Sequence, residues 1–191
     1  MVNAKALMAV FIAGVMIFSI FGYIIEETLR QPSNEVNYNG FNFRASQNGY
    51  ATEVNKKRLI FNFLPDHLDE VFIPNEVKGV LNQTKALIVT YDPSVNETEV
   101  LGLAQFMFEE QLQPINDRLF LQRALTNASN TELAEASCVN ATETVPVIFF
   151  EPSNKTEIFI DNHCVHLNFD SPLSLIQQSE KIRYILLGVI K

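Results

Sequence analysis

Two cysteines, Cys138 and Cys164, and the strip His163-Cys164-Val165-His166 carry the side chains whose types and spacing suit chemistry. Cys164 and His166 are two residues apart, so on a strand they share one face, and Cys138 arriving from elsewhere would complete three ligands, enough for an open zinc site. A disulfide competes with that outcome, because two thiols in an oxidising compartment pair and a paired cysteine has no thiolate to offer a metal. A Cys138–Cys164 bond would close a loop of about 25 residues and contribute about 3 kcal/mol on the chain-entropy model. The disulfide is therefore the expected state. No metal or other cofactor is expected, Cys164 and His166 being the residues a metal would use.

No catalytic residue is assigned. The chain has no Gly-x-Ser-x-Gly elbow, no His-Glu-x-x-His, no phosphate-cradling glycine loop and no dinucleotide fingerprint. The acidic pairs Glu26-Glu27, Asp69-Glu70 and Glu109-Glu110 are adjacent residues, which diverge by about 100° on a helix and so read as solvated surface rather than acid/base dyads. With 14 basic against 22 acidic residues and a net charge of −8, the chain repels phosphate backbones, and nucleic acid is excluded as a partner.

The compartment follows from two further patterns. Ala6 to Ile25 is an uncharged apolar run of 20 residues, which as a helix rises about 30 Å, the thickness of a bilayer's hydrocarbon core. It passes straight into Glu26-Glu27 without a small-x-small cleavage site and so reads as a retained signal anchor. Lys5 before the run and Glu26, Glu27 after it orient the amino terminus to the cytoplasm and the remainder outside the cell membrane. Downstream lie five glycosylation sequons, at Asn82, Asn96, Asn127, Asn140 and Asn154. Random placement of 18 Asn and 20 Ser or Thr in 191 residues gives about two.

These patterns divide the chain into a cytoplasmic head (1–5), a transmembrane segment (6–25), a polar stalk (26–40), an aromatic β-meander with short helices (41–81) and a carboxyl-terminal domain (82–191). In the meander Phe41, Phe43 and Ala45 alternate with polar residues, Asn48-Gly49 supplies a hairpin turn, and strands follow at 50–54 and 58–64. Two short helices are expected between Asp66 and Leu81, broken at Ile73-Pro74. Lys85 to Tyr91 reads as a buried strand. Ser94 and Glu97 then make a capping box for a helix reaching Gln111, whose stripe is Val100, Leu103, Ala104, Met107 and Phe108, broadened by Leu101 and Phe106. A strand within 118–125, a small helix at 131–137 and an antiparallel pair, 147–151 with 156–167, come next. Ser171-Pro172 caps a last helix with an apolar side of Leu175, Ile182, Ile185, Leu186 and Val189.

Strand, helix, strand, short helix, Val-Pro, hairpin and helix, over residues 85–191, resemble the thioredoxin-like fold. In that family the proline opening the third core strand has a cis peptide bond, and Pro146 in Thr144-Val145-Pro146-Val147-Ile148-Phe149-Phe150 occupies the matching position. Where the family carries Cys-x-x-Cys, this chain has Asp92-Pro93-Ser94-Val95-Asn96-Glu97, so the resemblance implies the fold without the redox activity. The chain also resembles short single-pass surface proteins of archaea.

The expected fold class is thus α/β (α+β): a transmembrane helix, a small antiparallel meander and a thioredoxin-like βαβ-ββα domain. The expected role is non-catalytic binding or assembly of an envelope complex, with other envelope or membrane proteins, or further copies of the chain, as partners. The alternative is a thiol-redox or metal-dependent enzyme using Cys138, Cys164 and Pro146. Because no sequon falls in 26–81 or after Asn154, the meander and the terminal helix are the expected glycan-free faces, and the Phe-rich meander is the expected contact with a partner or a further copy, with edge-strand pairing as its mode.

Overall fold

Period-two burial runs through the carboxyl-terminal strands: Leu87, Val89 and Tyr91, then Ile148 and Phe150, then Val165, Leu167 and Phe169 are all buried, which places them on one face of a sheet. The computed structural model describes residues 35–112, 119–129 and 131–191. The expected head and transmembrane segment, and residues 26–34 of the stalk, lie outside the described residues. Among the described residues no helix is long and apolar enough to cross a membrane.

Among the described residues the architecture is mixed α/β, with three α-helices and two sheets. The first sheet is a four-stranded meander of β1 (Glu35–Tyr38), β2 (Phe41–Ser46), β3 (Gly49–Val54) and β4 (Lys57–Phe61), in that spatial order. One strand, β1, sits in the segment expected to be stalk. Its link to β2 is the Asn-Gly turn proper, Asn39 and Gly40 both having positive φ (49° and 87°). The expected turn at Asn48-Gly49 is displaced: Gln47 and Asn48 form the loop and Gly49 is already paired with Ser46. Glycine is needed there for another reason, since φ is +127° and a Cβ would stand 2.1 Å from the Phe61 carbonyl oxygen.

A 3-10 turn (Pro65–Leu68) and helix α1 (Asn75–Gln83) follow, divided near Pro74 as expected. The second sheet comprises β5 (Ala86–Tyr91), β6 (Phe120–Leu125), β7 (Ala134–Glu135), β8 (Val147–Pro152), β9 (Glu157–Asp161) and β10 (Cys164–Phe169), ordered β7-β6-β5-β8-β10-β9. All neighbours pair parallel except β9, which is antiparallel to β10. The expected antiparallel pairing of 147–151 with the following segment is therefore replaced. Asn162 and His163, with φ of 46° and 67°, turn the chain between β9 and β10, and β10 inserts beside β8 in parallel register. The hairpin on which the thioredoxin-like element order rested is absent from this position. Pro146 is buried with a trans peptide bond, since the described residues contain no cis peptide, and its carbonyl accepts from Ile88 N at 3.1 Å.

Helices α2 (Thr98–Leu112) and α3 (Pro172–Leu186) pack side by side, with α2 against β5 and β6 and α3 against β10. On α2 the buried positions are Leu101, Ala104, Gln105, Phe108 and Leu112, while Leu103 and Phe106 are exposed, so the core face is rotated from the expected stripe. Gln105 explains the rotation: its Nε2 donates to the carbonyls of Val89 and Ala124, both at 2.7 Å, filling the gap where β5 and β6 stop pairing. Ser94 does not cap α2. Its N–H and hydroxyl both donate to Asp92 Oδ1, at 2.8 and 2.7 Å, and hold the carboxyl below the usual carboxylate range.

Ser171 caps α3 as expected, accepting from Ser174 N, with Pro172 in the first turn. The rest of α3 departs from an amphipathic helix. Gln178 to Ile185 are all buried, because the meander covers the side of α3 that faces away from the second sheet. Tyr184 stacks on Phe61 (centroids 4.2 Å apart), meets Phe43 edge-on and donates to the Phe63 carbonyl at 2.7 Å. Glu180 accepts from Asn62 N, Asn62 Nδ2 and Phe63 N, at 2.7, 2.6 and 2.9 Å. Arg183 lies 3.2 Å from Glu180, over the Phe61 ring and bonded to Gln111 Oε1. Phe43 and Phe61 are fully buried, so these two aromatic residues of the meander belong to the interior, whereas Tyr38, Phe41, Tyr50 and Phe63 are only partly buried.

Candidate functional site

The second sheet has α2 and α3 on one face; its opposite face bears Thr90 from β5, Phe149 and Glu151 from β8, Cys164, His166 and Asn168 from β10, and Phe159 from β9. A strap of residues 136–146 crosses this face. It starts where Ala136 N donates to Leu125 O (2.9 Å) and Thr90 Oγ1 donates to Ala136 O (2.8 Å), and it ends at Pro146 beside β5. Where a small helix was expected at 131–137, the chain forms β7 and then a 3-10 turn, Cys138–Asn140. Ser137 and Asn140 cap that turn reciprocally, Asn140 Oδ1 accepting from Ser137 N at 2.9 Å, and this presents Cys138 toward the sheet.

Cys138 and Cys164 form a disulfide, with Cα atoms 5.2 Å apart, a separation such bonds ordinarily span. The bond staples the strap to the first residue of β10. Cys164 is buried, whereas the neighbouring Val139 is 91% exposed. The staple thus sits at the edge of an open surface, one sulfur sheltered by the sheet and the other carried on the strap.

His166 is held on three sides. Phe159 stacks on its ring (centroids 4.5 Å, planes 4° apart), Phe149 meets it edge-on at 5.7 Å, and Glu151 Oε2 lies 3.5 Å from Nδ1. A carboxylate only accepts, so a proton on Nδ1, which makes no hydrogen bond, would face Glu151 and leave the lone pair on Nε2. That second nitrogen lies 3.6 Å from Cys138 Sγ. Cys138, Cys164 and His166, expected from sequence as a possible ligand set, therefore do converge, their donor atoms lying within 4.8 Å of one another. While the sulfurs are bonded to each other they offer no thiolate, and the cluster acts as a covalent tie packed against an oriented imidazole. His163 takes no part; it lies exposed in the β9–β10 turn. Glu151 was not foreseen, because its proximity depends on β8 and β10 being parallel neighbours.

All five sequon asparagines are exposed. Asn82 lies on the last turn of α1 and Asn140 on the strap. The other three follow β5, β6 and β8, which are parallel and adjacent, so Asn96, Asn127 and Asn154 all emerge at the carboxyl edge of one sheet. In parallel sheets this edge is where ligand crevices form. At Asn127 the side-chain oxygen accepts from the N–H and hydroxyl of Ser129, an Asx turn that folds the sequon on itself. The chain matches no protein-family model, no curated protein and no solved structure.

Proposed function

We propose that the chain is a membrane-anchored, N-glycosylated extracytoplasmic protein that acts without catalysis in binding or assembly of a surface complex. The observation that supports this most is the exposure of every sequon asparagine, five of five, beside a disulfide of the kind that oxidising compartments favour. Glycans on Asn96, Asn127 and Asn154 would cover the carboxyl edge of the second sheet, leaving protein contacts to the uncovered surfaces. The outer strand of the meander, β1, is one such surface, with Val36 36% exposed, and an edge strand is suited to pairing with a partner chain.

Protease shaving of intact cells that express the full chain, followed by non-reducing peptide mass spectrometry, tests the reading. The expected result is release of the body of the protein, glycopeptides at the three edge sequons, and a cross-linked peptide pair containing Cys138 and Cys164. A protected body with bare asparagines and free thiols refutes it. A photo-crosslinking residue at Val36 is expected to capture a membrane or envelope protein or a second copy; absence of any adduct removes β1 as the contact.

A further inference from the structure

We propose that reduction of the Cys138–Cys164 bond turns the staple into a binding site for Zn²⁺ or a comparably thiophilic divalent ion, with Cys138 Sγ, Cys164 Sγ and His166 Nε2 as ligands. Tetrahedral zinc, with Zn–S of about 2.3 Å and Zn–N of about 2.05 Å, places sulfur and nitrogen ligands about 3.6 Å apart and two sulfurs about 3.8 Å apart. The first separation already exists, since Cys138 Sγ and His166 Nε2 are 3.6 Å apart. Two sulfurs freed from their bond move to a non-bonded distance of about 3.5–4 Å, which is the second. The strap carrying Cys138 ends in exposed residues, Val139 to Thr144, apart from half-buried Ala141, so it can yield without disturbing β10.

The imidazole is prepared for coordination. Zinc-bound histidines ordinarily give their other ring nitrogen to a carboxylate or carbonyl, which fixes the tautomer and raises the basicity of the ligating atom. Here Glu151 stands 3.5 Å from Nδ1, and that buried nitrogen has no hydrogen-bond partner, so the carboxylate is the group placed to take its proton when the ring coordinates. Stacking on Phe159 fixes the ring plane. Three protein ligands leave the fourth position of a tetrahedron open on the outer face of the sheet, available to water or to a donor from another molecule.

Two steps balance the chemistry. A thiol or phosphine reductant supplies two electrons, and with two protons the disulfide becomes two thiols while the reductant is oxidised. The ion then displaces the two thiol protons, which pass to solvent, and takes the neutral imidazole through Nε2. The oxidised chain is thus closed to the metal and the reduced chain open to it.

The test uses the full-length protein, reduced anaerobically with a phosphine that is then removed, and titrated with Co²⁺ alone. One equivalent is expected to bind, giving sulfur-to-cobalt charge-transfer absorption and intense tetrahedral d–d bands, both abolished by stoichiometric Zn²⁺ and absent from the oxidised protein. Glu151→Gln is expected to weaken binding by about 10–100-fold. His166→Ala is expected to weaken it further and to change the d–d envelope. If the reduced apoprotein loses structure, Co²⁺ must restore its circular dichroism. Failure to bind, failure to restore structure, or His166→Ala binding with unchanged affinity and spectrum each overturns the proposal.

Discussion

Reducing the disulfide perturbs one bond and no side chain elsewhere, so its effect on stability can be worked from the structure. The two cysteines are 26 residues apart. A closed loop of that length removes about 12 cal/mol/K from the unfolded chain, or about 3.5 kcal/mol at 25 °C. Against a total stability of about 5–15 kcal/mol for a domain, that is a large share, yet short of unfolding it. For a unit of this size each kcal/mol shifts the thermal midpoint by about 2–4 °C, so reduction should lower it by about 10 °C. Urea unfolding of the oxidised and the anaerobically reduced protein, both in a chelator so that no ion restores the loss, measures the difference directly. The slope should rise on reduction, because the freed unfolded chain exposes more surface. Equal midpoints would refute the reasoning: the strap would then be held on the sheet by its own contacts, with the bond adding nothing.

Further outcomes follow from other parts of the structure. Glu180→Leu and Arg183→Met each leave a buried charge or donor set without its partner and should cost about 3–5 kcal/mol singly, while the two together should cost less than the sum; urea midpoints of the four proteins decide, and simple additivity contradicts the pairing. Burial raises the Glu180 carboxyl above its ordinary value, opposed by Arg183 and by the donors on Asn62 and Phe63, so its contribution is full below the unfolded value near 4.5 and is lost as pH rises through the folded one; that step should vanish in Glu180→Gln. Asp170 behaves oppositely: donors from Thr156 and Ser174 hold it below its ordinary 3.8, so its contribution is present above that value and lost as pH falls through the folded one, and Asp170→Asn should flatten the acid limb of a stability profile. Gly49→Ala, with a Cβ 2.1 Å from the Phe61 carbonyl, should destabilise by about 2–4 kcal/mol, whereas Gly79→Ala, with no atom within 4 Å on helix α1, should stabilise by about 0.5–1 kcal/mol.

What could be read from the chain beforehand was local. Ser171-Pro172 announces α3 because capping needs only its own turn, and strand β5 shows itself as a continuous apolar run because a central strand is covered on both faces. The disulfide followed from two thiols and a compartment. Pairing that depends on distant residues stayed hidden. Nothing in 147–167 records that β10 slips between β8 and β9, and so Glu151 could not be placed beside His166. The phase of α2 was misjudged because Gln105, polar by type, is buried to serve two strand carbonyls, while Leu103 and Phe106 face outward. Glu180, Lys181 and Arg183 look like the wet side of a helix until the meander is laid over them.

The position of α3 bears on how this polypeptide reaches its final form. Every strand of both sheets precedes residue 172, yet Glu180, Arg183 and Tyr184, which bond to or stack on residues 61–63 of the meander's end, come from the helix after it. During synthesis or export, two half-finished surfaces must therefore wait, greasy and uncovered, until that segment emerges. Interior closure is a late event, and a protein cut short before Pro172 lacks the helix that completes it.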